Sequence, residues 1–422
     1  MRFRICPFLL AGFALLSACR PEIQPEEPIV PVTSNLNIRW QTPLLPDTSS
    51  GSFADALFVA GNQIIYCVNH KNPSSTIESR NIETGELNWM FDDFAYPVWG
   101  FSTWWEGQIF KYQDNTIIGI NGKLYNVDNT NGQLLWSSDM GQREGNPYVG
   151  MIGDYIYNSH FECPSPYCTS VSPIRIRLMS GQIDTLFTLA SKNDSFYVDL
   201  TSPALWINPV GDSVLLFNDR QSRFPLTPTA KYERTNLYAF NLRTRQMIWE
   251  SIDVNPDNFS MPQKSYIFGN RAYVLGGQTV ICIDMLDGRI LWQRDINSDL
   301  ADCNIVDYGN AIIVHYTFPA FGISALDKET GAIKWQNPDT NGFIYKLTLS
   351  EGVVYFTNSM GIIHAVDAET GKTLWKEQSP YKKTSGSPVD TYKFNGLAID
   401  EQRRLLFVAD GYYLYCFELP PK

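Results

Sequence analysis

Along most of the chain, apolar and polar positions alternate in short runs, and the runs come in pairs. The clearest pair is Ala365-Val366-Asp367-Ala368-Glu369-Thr370-Gly371-Lys372-Thr373-Leu374-Trp375. Alternation up to the Asp predicts one strand, Thr-Gly predicts the turn, and a second short strand ends on Trp. Near copies run from Ala325 to Trp335 and from Cys282 to Trp292, with the same spacing from Gly to Trp. Three weaker copies precede them: Ala239 to Trp249, where Arg245 replaces the glycine, Asn126 to Trp136, and Arg80 to Trp89. A hairpin of this length needs one residue at positive φ, which glycine adopts without a Cβ clash. The Asp four residues earlier can accept backbone N–H bonds across the turn. Trp is large enough to fill the gap between neighbouring sheets while its indole N–H finds a carbonyl.

The motif A-x-D-x-x-T-G-x-x-x-W resembles the third and fourth strands of a PQQ-type β-propeller blade, and the resemblance covers residues 36 to 419. It implies an all-β fold, a propeller of four-stranded antiparallel blades. Trp89, Trp136, Trp249, Trp292, Trp335 and Trp375 mark six blades. The interval from Trp136 to Trp249 is more than twice any other, so a degenerate blade is expected there. Its hairpin is read at Ile174 to Phe187, with a Ser180-Gly181 turn and no Trp. After Trp375 come three strand-like runs, Phe394 to Asp400, Leu405 to Ala409 and Tyr413 to Leu419. Leu36 to Trp40 is a lone strand with the right Trp. Pairing it with the last blade predicts an eighth blade, a closed ring and no open sheet edges at the seam.

Three regions follow: 1–18, 19–35 and 36–422. Arg2 and Arg4 precede an apolar run from Phe8 to Leu16, too short to span a bilayer, and Leu16-Ser17-Ala18-Cys19 resembles the bacterial lipobox. Residues 1–18 read as a lipoprotein signal peptide and Cys19 as the lipidated residue, with an ordinary cleaved signal or a buried helix as the alternatives. Residues 19–35 carry Pro21, Pro25, Pro28 and Pro31 among Glu22, Glu26 and Glu27 and read as a tether. Without Arg2 and Arg4, 31 basic residues face 44 acidic ones. That balance argues against nucleic acid and against flat docking on anionic lipid.

Motifs that carry chemistry are sparse. The chain has no Gly-rich phosphate loop, no Gly-x-Ser-x-Gly, no His-Glu-x-x-His and no paired-cysteine zinc spacing. His70, His160, His315 and His364 fall in different blades. Asp295 to Asp299 resembles the opening of a calcium loop, but Leu300 stands where its glycine is due and the closing Glu is absent. No metal site and no cofactor are therefore expected. Cys163 and Cys168 are close enough to bridge a small loop in an oxidising compartment. Cys67, Cys282, Cys303 and Cys416 sit in apolar strand patterns and read as buried thiols, with a Cys67–Cys416 pair left open.

PQQ dehydrogenases share the repeat but typically carry adjacent cysteines, which this chain lacks. The closer resemblance is to the non-enzymatic lipoprotein propellers of bacterial envelopes. It implies an outer membrane lipoprotein, anchored through its lipid, that binds an envelope protein as a scaffold. A receptor taking a glycan or small ligand at the propeller mouth is the second reading. Two connections between strands B and C look long, His160 to Ser172 and Asp219 to Thr235. They lie on adjacent blades and on one face, so Arg220, Arg223, Tyr232 and Arg234 are the expected partner-binding residues.

Overall fold

A computed structural model describes residues 36–44, 53–69, 76–94, 109–120, 123–139, 150–162, 170–190, 196–200, 203–223, 232–252, 254, 265–300, 303–317, 319–340, 342–380 and 396–420. The described residues form eight antiparallel sheets. In chain order these are blade 1 (53–91), blade 2 (109–139), blade 3 (150–190), blade 4 (196–251), blade 5 (266–295), blade 6 (305–337), blade 7 (348–378) and blade 8 (397–418 with 37–43). Strands within a blade are lettered A to D in order of pairing. The last blade takes its strand D from the opposite end of the chain. Asn37–Pro43 pairs with Tyr413–Glu418, Asn37 opposite Glu418 and Pro43 opposite Tyr413, so the predicted closure holds.

Among the described residues each pair of neighbouring blades encloses its own apolar core, eight in all. Blades 5 and 6 bury Tyr273, Leu275, Trp292, Ile312 and Leu326, for example. The cores between blades 7 and 8 and between blades 8 and 1 complete the circle, the latter joining Ile64 and Tyr66 to Phe407 and Cys416. Stability is thus distributed around the ring, as in other repeat folds.

The hairpin turns are locally satisfied. The Asp327 carboxylate accepts bonds from the Glu329 and Thr330 amides and the Thr330 hydroxyl, and Asp367 does the same for Thr370. Asn81 and Asn241 take this role in blades 1 and 4. A second reason for the glycine appears only in three dimensions. The Trp of the preceding blade lies on it: a Cβ at Gly331 would sit 2.5 Å from the Trp292 ring, and one at Gly371 2.5 Å from Trp335. The indole N–H of Trp292 donates to the Lys328 carbonyl of that same turn at 3.0 Å, and Trp40, Trp89, Trp249 and Trp335 repeat the bond. A one-residue register shift sits just before each of these tryptophans, between Cys282 and Ile283 on the facing strand of blade 5. The bulge re-aims the Trp towards the next blade.

Blade 3 keeps the turn glycine, Gly181 at a φ of 66°, but breaks the Trp pattern. Its C–D ladder has no register shift, and Asp184 stands opposite Arg175, the position where Trp292 stands opposite Cys282 in blade 5. Asp184 pairs with Arg175 of its own blade and with Arg245 of blade 4, both at about 3 Å. Arg245 keeps the glycine's positive φ of 56° and also donates to the Thr185 carbonyl at 2.6 Å. The missing Trp and the missing Gly are two halves of one substitution.

Candidate partner-binding face

The two connections read as long loops begin and end in paired strand, which corrects that expectation for their described residues. In blade 3, Tyr155–Glu162 pairs with Ser170–Arg177 out to Glu162 opposite Ser170. In blade 4, Ser213–Arg223 pairs with Tyr232–Asn241, and Arg220 stands opposite Thr235, Gln221 opposite Arg234 and Ser222 opposite Tyr232. Strands B and C elsewhere run five to seven residues, whereas these run eight to eleven. Extra strand segments satisfy the protruding backbone. Phe196–Leu200 pairs with the outer half of Ser213–Arg223, placing Arg223 opposite Phe196 and Arg220 opposite Asp199. Leu189–Ala190 covers Ser170 and Val171 in blade 3. A loop would have left these amides to solvent, whereas a ladder pairs them. The β-rich run Phe-Tyr-Val-Asp-Leu at 196–200 carried the signal for that ladder.

The expected residues Arg220, Arg223, Tyr232 and Arg234 therefore share one raised hairpin within a few rungs of each other. Its base is firm. Asp219, fully buried, accepts bonds from the Asn236 amide and the Tyr238 hydroxyl, and burial together with that carboxylate pushes the Tyr238 phenol well up. Beneath it, Phe187 packs against Phe217 and Phe240 in the core between blades 3 and 4. The raised ladders of the two blades lie against each other through the strands Ser170–Arg177 and Phe196–Leu200. Cys163 and Cys168 and the connection 224–231 lie outside the described residues, as does Cys19.

The remaining polar candidates have structural roles. His315 is fully buried, accepts from the Asn304 amide through Nε2 and is held down to about 3 by burial. His364 stacks on Phe356 with its ring plane tilted by 9° and is also held down to about 3, by burial and then by Lys376. Both are neutral at ordinary pH and unsuited to proton transfer. His70 lies outside the described residues, and His160 stands opposite Ser172 in a blade 3 strand. Asp295 caps the Asn297 amide, and among the described residues no three potential metal ligands cluster. Cys67, Cys282, Cys303 and Cys416 are buried thiols. Cys67 and Cys416 face different interblade cores, so they do not pair.

The family described as outer membrane protein assembly factor BamB matches residues 233–419. The structure of BamB from Moraxella catarrhalis superposes with a TM-score of 0.57 at 12% identity, over 92% of this chain and 99% of that one. The chain is a BamB-like propeller of PQQ-type repeats. A BamB of Francisella salina is 31% identical over 119 residues, which is 27% of this chain and 22% of that protein. The computationally designed Ika8 protein superposes with a TM-score of 0.60 at 12% identity, over 88% and 98% of the two chains. These structural likenesses concern the fold alone. The family match begins just inside the blade 4 hairpin, downstream of the blade that departs from the repeat.

Proposed function

We propose that this BamB-like propeller is a lipid-anchored envelope protein that acts as a non-enzymatic scaffold and grips a protein partner on the raised strands of blades 3 and 4. The observation that carries the reading is the pair of extended ladders, which hold Arg220, Arg223, Tyr232 and Arg234 on paired backbone above an aromatic core. Rigid presentation lowers the ordering cost of binding. Arg and Tyr supply interface anchors, and three arginines in an otherwise acidic chain favour a partner with an acidic patch. Cys19 is the proposed acylated residue, and a Cys163–Cys168 bridge would stiffen the neighbouring ladder.

The test is chemical cross-linking of the full chain in envelope membranes. The triple variant Arg220→Ala, Arg223→Ala, Tyr232→Ala is expected to lose the principal cross-linked protein while its melting temperature stays unchanged. In the same preparation Cys19→Ser should shift the protein to the soluble fraction. An unaltered cross-linking pattern in the triple variant would place the partner elsewhere on the ring.

A further inference from the structure

The face opposite the raised ladders is not uniform around the ring. In each blade the residue that follows strand C bonds back to the turn between A and B, as Ile82 does to the Asn62 carbonyl and Met285 to that of Asn270, so both sets of turns share this face. At blades 1, 6 and 7 the exposed C–D tips are Glu83-Thr84, Glu329-Thr330 and Glu369-Thr370. At blades 3 and 5 the C–D tips carry Met179 and Leu286, 67% and 53% exposed, and at blade 4 the neighbouring turn between Ala204–Ile207 and Ser213–Arg223 carries Val210, 77% exposed. Arg177, Arg243 and Arg289 stand exposed among them, the latter two also paired with Asp212 and Asp284. Three exposed apolar turn residues thus follow one another on three consecutive blades of this face.

A second observation concerns where the chain enters the propeller. Asn37 lies opposite Glu418, and the next residue, Leu419, bonds to the Arg404 carbonyl in the A–B turn of blade 8. The segment preceding Leu36 therefore joins the ring on this same face. In an eight-membered ring blade 8 lies across from blade 4. The residues from Arg20 to Asn35 reach about 50 Å when extended, enough to cross beneath the ring.

We propose that the arc formed by the turns of blades 3, 4 and 5 is a shallow docking surface for a phospholipid bilayer. Met179, Val210 and Leu286 enter the interfacial region, and Arg177, Arg243 and Arg289 meet headgroup phosphates. Separate apolar tips with polar residues between them suit a fluid interface that closes around each one. They offer a rigid protein no continuous apolar ground. Exposed Glu369 and Glu401, in turns of blades 7 and 8 on the far side of the face, are repelled by anionic headgroups, so the ring sits tilted, with blades 3 to 5 lowest. This pose accords with the net negative charge, which opposes flat docking, and it directs the raised ladders away from the bilayer.

The test uses the full chain reconstituted in vesicles of phosphatidylethanolamine and phosphatidylglycerol, with no partner protein present, so its outcome is independent of the scaffold reading. A polarity-sensitive fluorophore is attached at Met179→Cys, Val210→Cys or Leu286→Cys, with Glu329→Cys as the control on the same face. Quenching by doxyl-labelled lipid should exceed that of the control by roughly twofold or more at all three tips. Adding Met179→Asp and Leu286→Asp should remove the quenching at position 210. Equal quenching at position 329, or none at the tips, overturns the proposal. Shielding that follows protein concentration rather than lipid assigns the arc to a second copy of the chain and overturns it equally.

Discussion

The joint between blades 5 and 6 and the joint between blades 3 and 4 occupy equivalent places in the ring and are built from opposite chemistry. In the first, the Trp292 indole lies on Gly331 and donates to Lys328, and Trp292 is 9% exposed. In the second, Asp184 takes the ladder position of the Trp and Arg245 that of the glycine, with side chains 37% and 45% exposed. The indole joint gains from removing a large apolar surface from water. The ionic joint gains little beyond geometry, because half-exposed ion pairs are screened. The unit of this repeat is therefore the contact between two blades, and it changes in pairs.

The largest expected effect comes from breaking the indole joint. Trp292→Ala should cost about 3–5 kcal/mol in urea denaturation. Gly331→Ala should cost about 2 kcal/mol or more, since Ala must adopt a φ of 67° and its Cβ overlaps the indole. Arg245→Ala should cost roughly 1 kcal/mol or less. Comparable losses at the two joints would remove the distinction between them.

A paired exchange sharpens the comparison. Asp184→Trp alone sets an indole against Arg245 and should destabilise by about 1–3 kcal/mol. Adding Arg245→Gly should restore more than half of that loss, because the glycine opens the floor the indole needs. A double variant no better than the sum of its single changes would show that the two positions are not coupled.

The smallest effect is a pH dependence. Partial burial raises the Asp184 carboxyl, but hydrogen bonds and charge from Arg245 and Arg175 outweigh it and hold the group below its ordinary value. The unfolded chain therefore binds the proton more readily. The contribution is complete above about pH 4 and is lost as pH falls through the lowered folded value. The stability gap between the parent and Arg245→Ala should close below about pH 4, whereas that for Trp292→Ala should persist there.

Much of the ring was legible in the order of residues, because the Trp–Gly spacing is local to one hairpin and recurs. The seam was legible too: Leu36 to Trp40 carried a Trp with no hairpin of its own. What escaped was non-local. Gly331 was attributed to its backbone conformation alone, because Trp292 reaches it from another blade. Blade 3 was seen to lack a Trp, but loss of the bulge moves Asp184 into the vacant position, and no spacing rule reveals a deleted bulge. The expected form of the candidate site, a pair of long loops, was mistaken. Arg220 and Tyr232 lie on a ladder whose third strand, Phe196–Leu200, comes from well upstream.

The seam also sets an order of events. Asn37 and Glu418 pair across 381 residues, and closing a loop of that length costs about 5 kcal/mol of chain entropy. A chain emerging from its N-terminal end can stack blade upon blade, yet Asn37–Pro43 must wait for Tyr413–Glu418 before it finds its ladder. Until then both ends of the stack present unpaired edges, and every partial product is an open arc. Closure depends on that single long-range encounter, and its rate governs how long an open arc stays exposed to wrong partners.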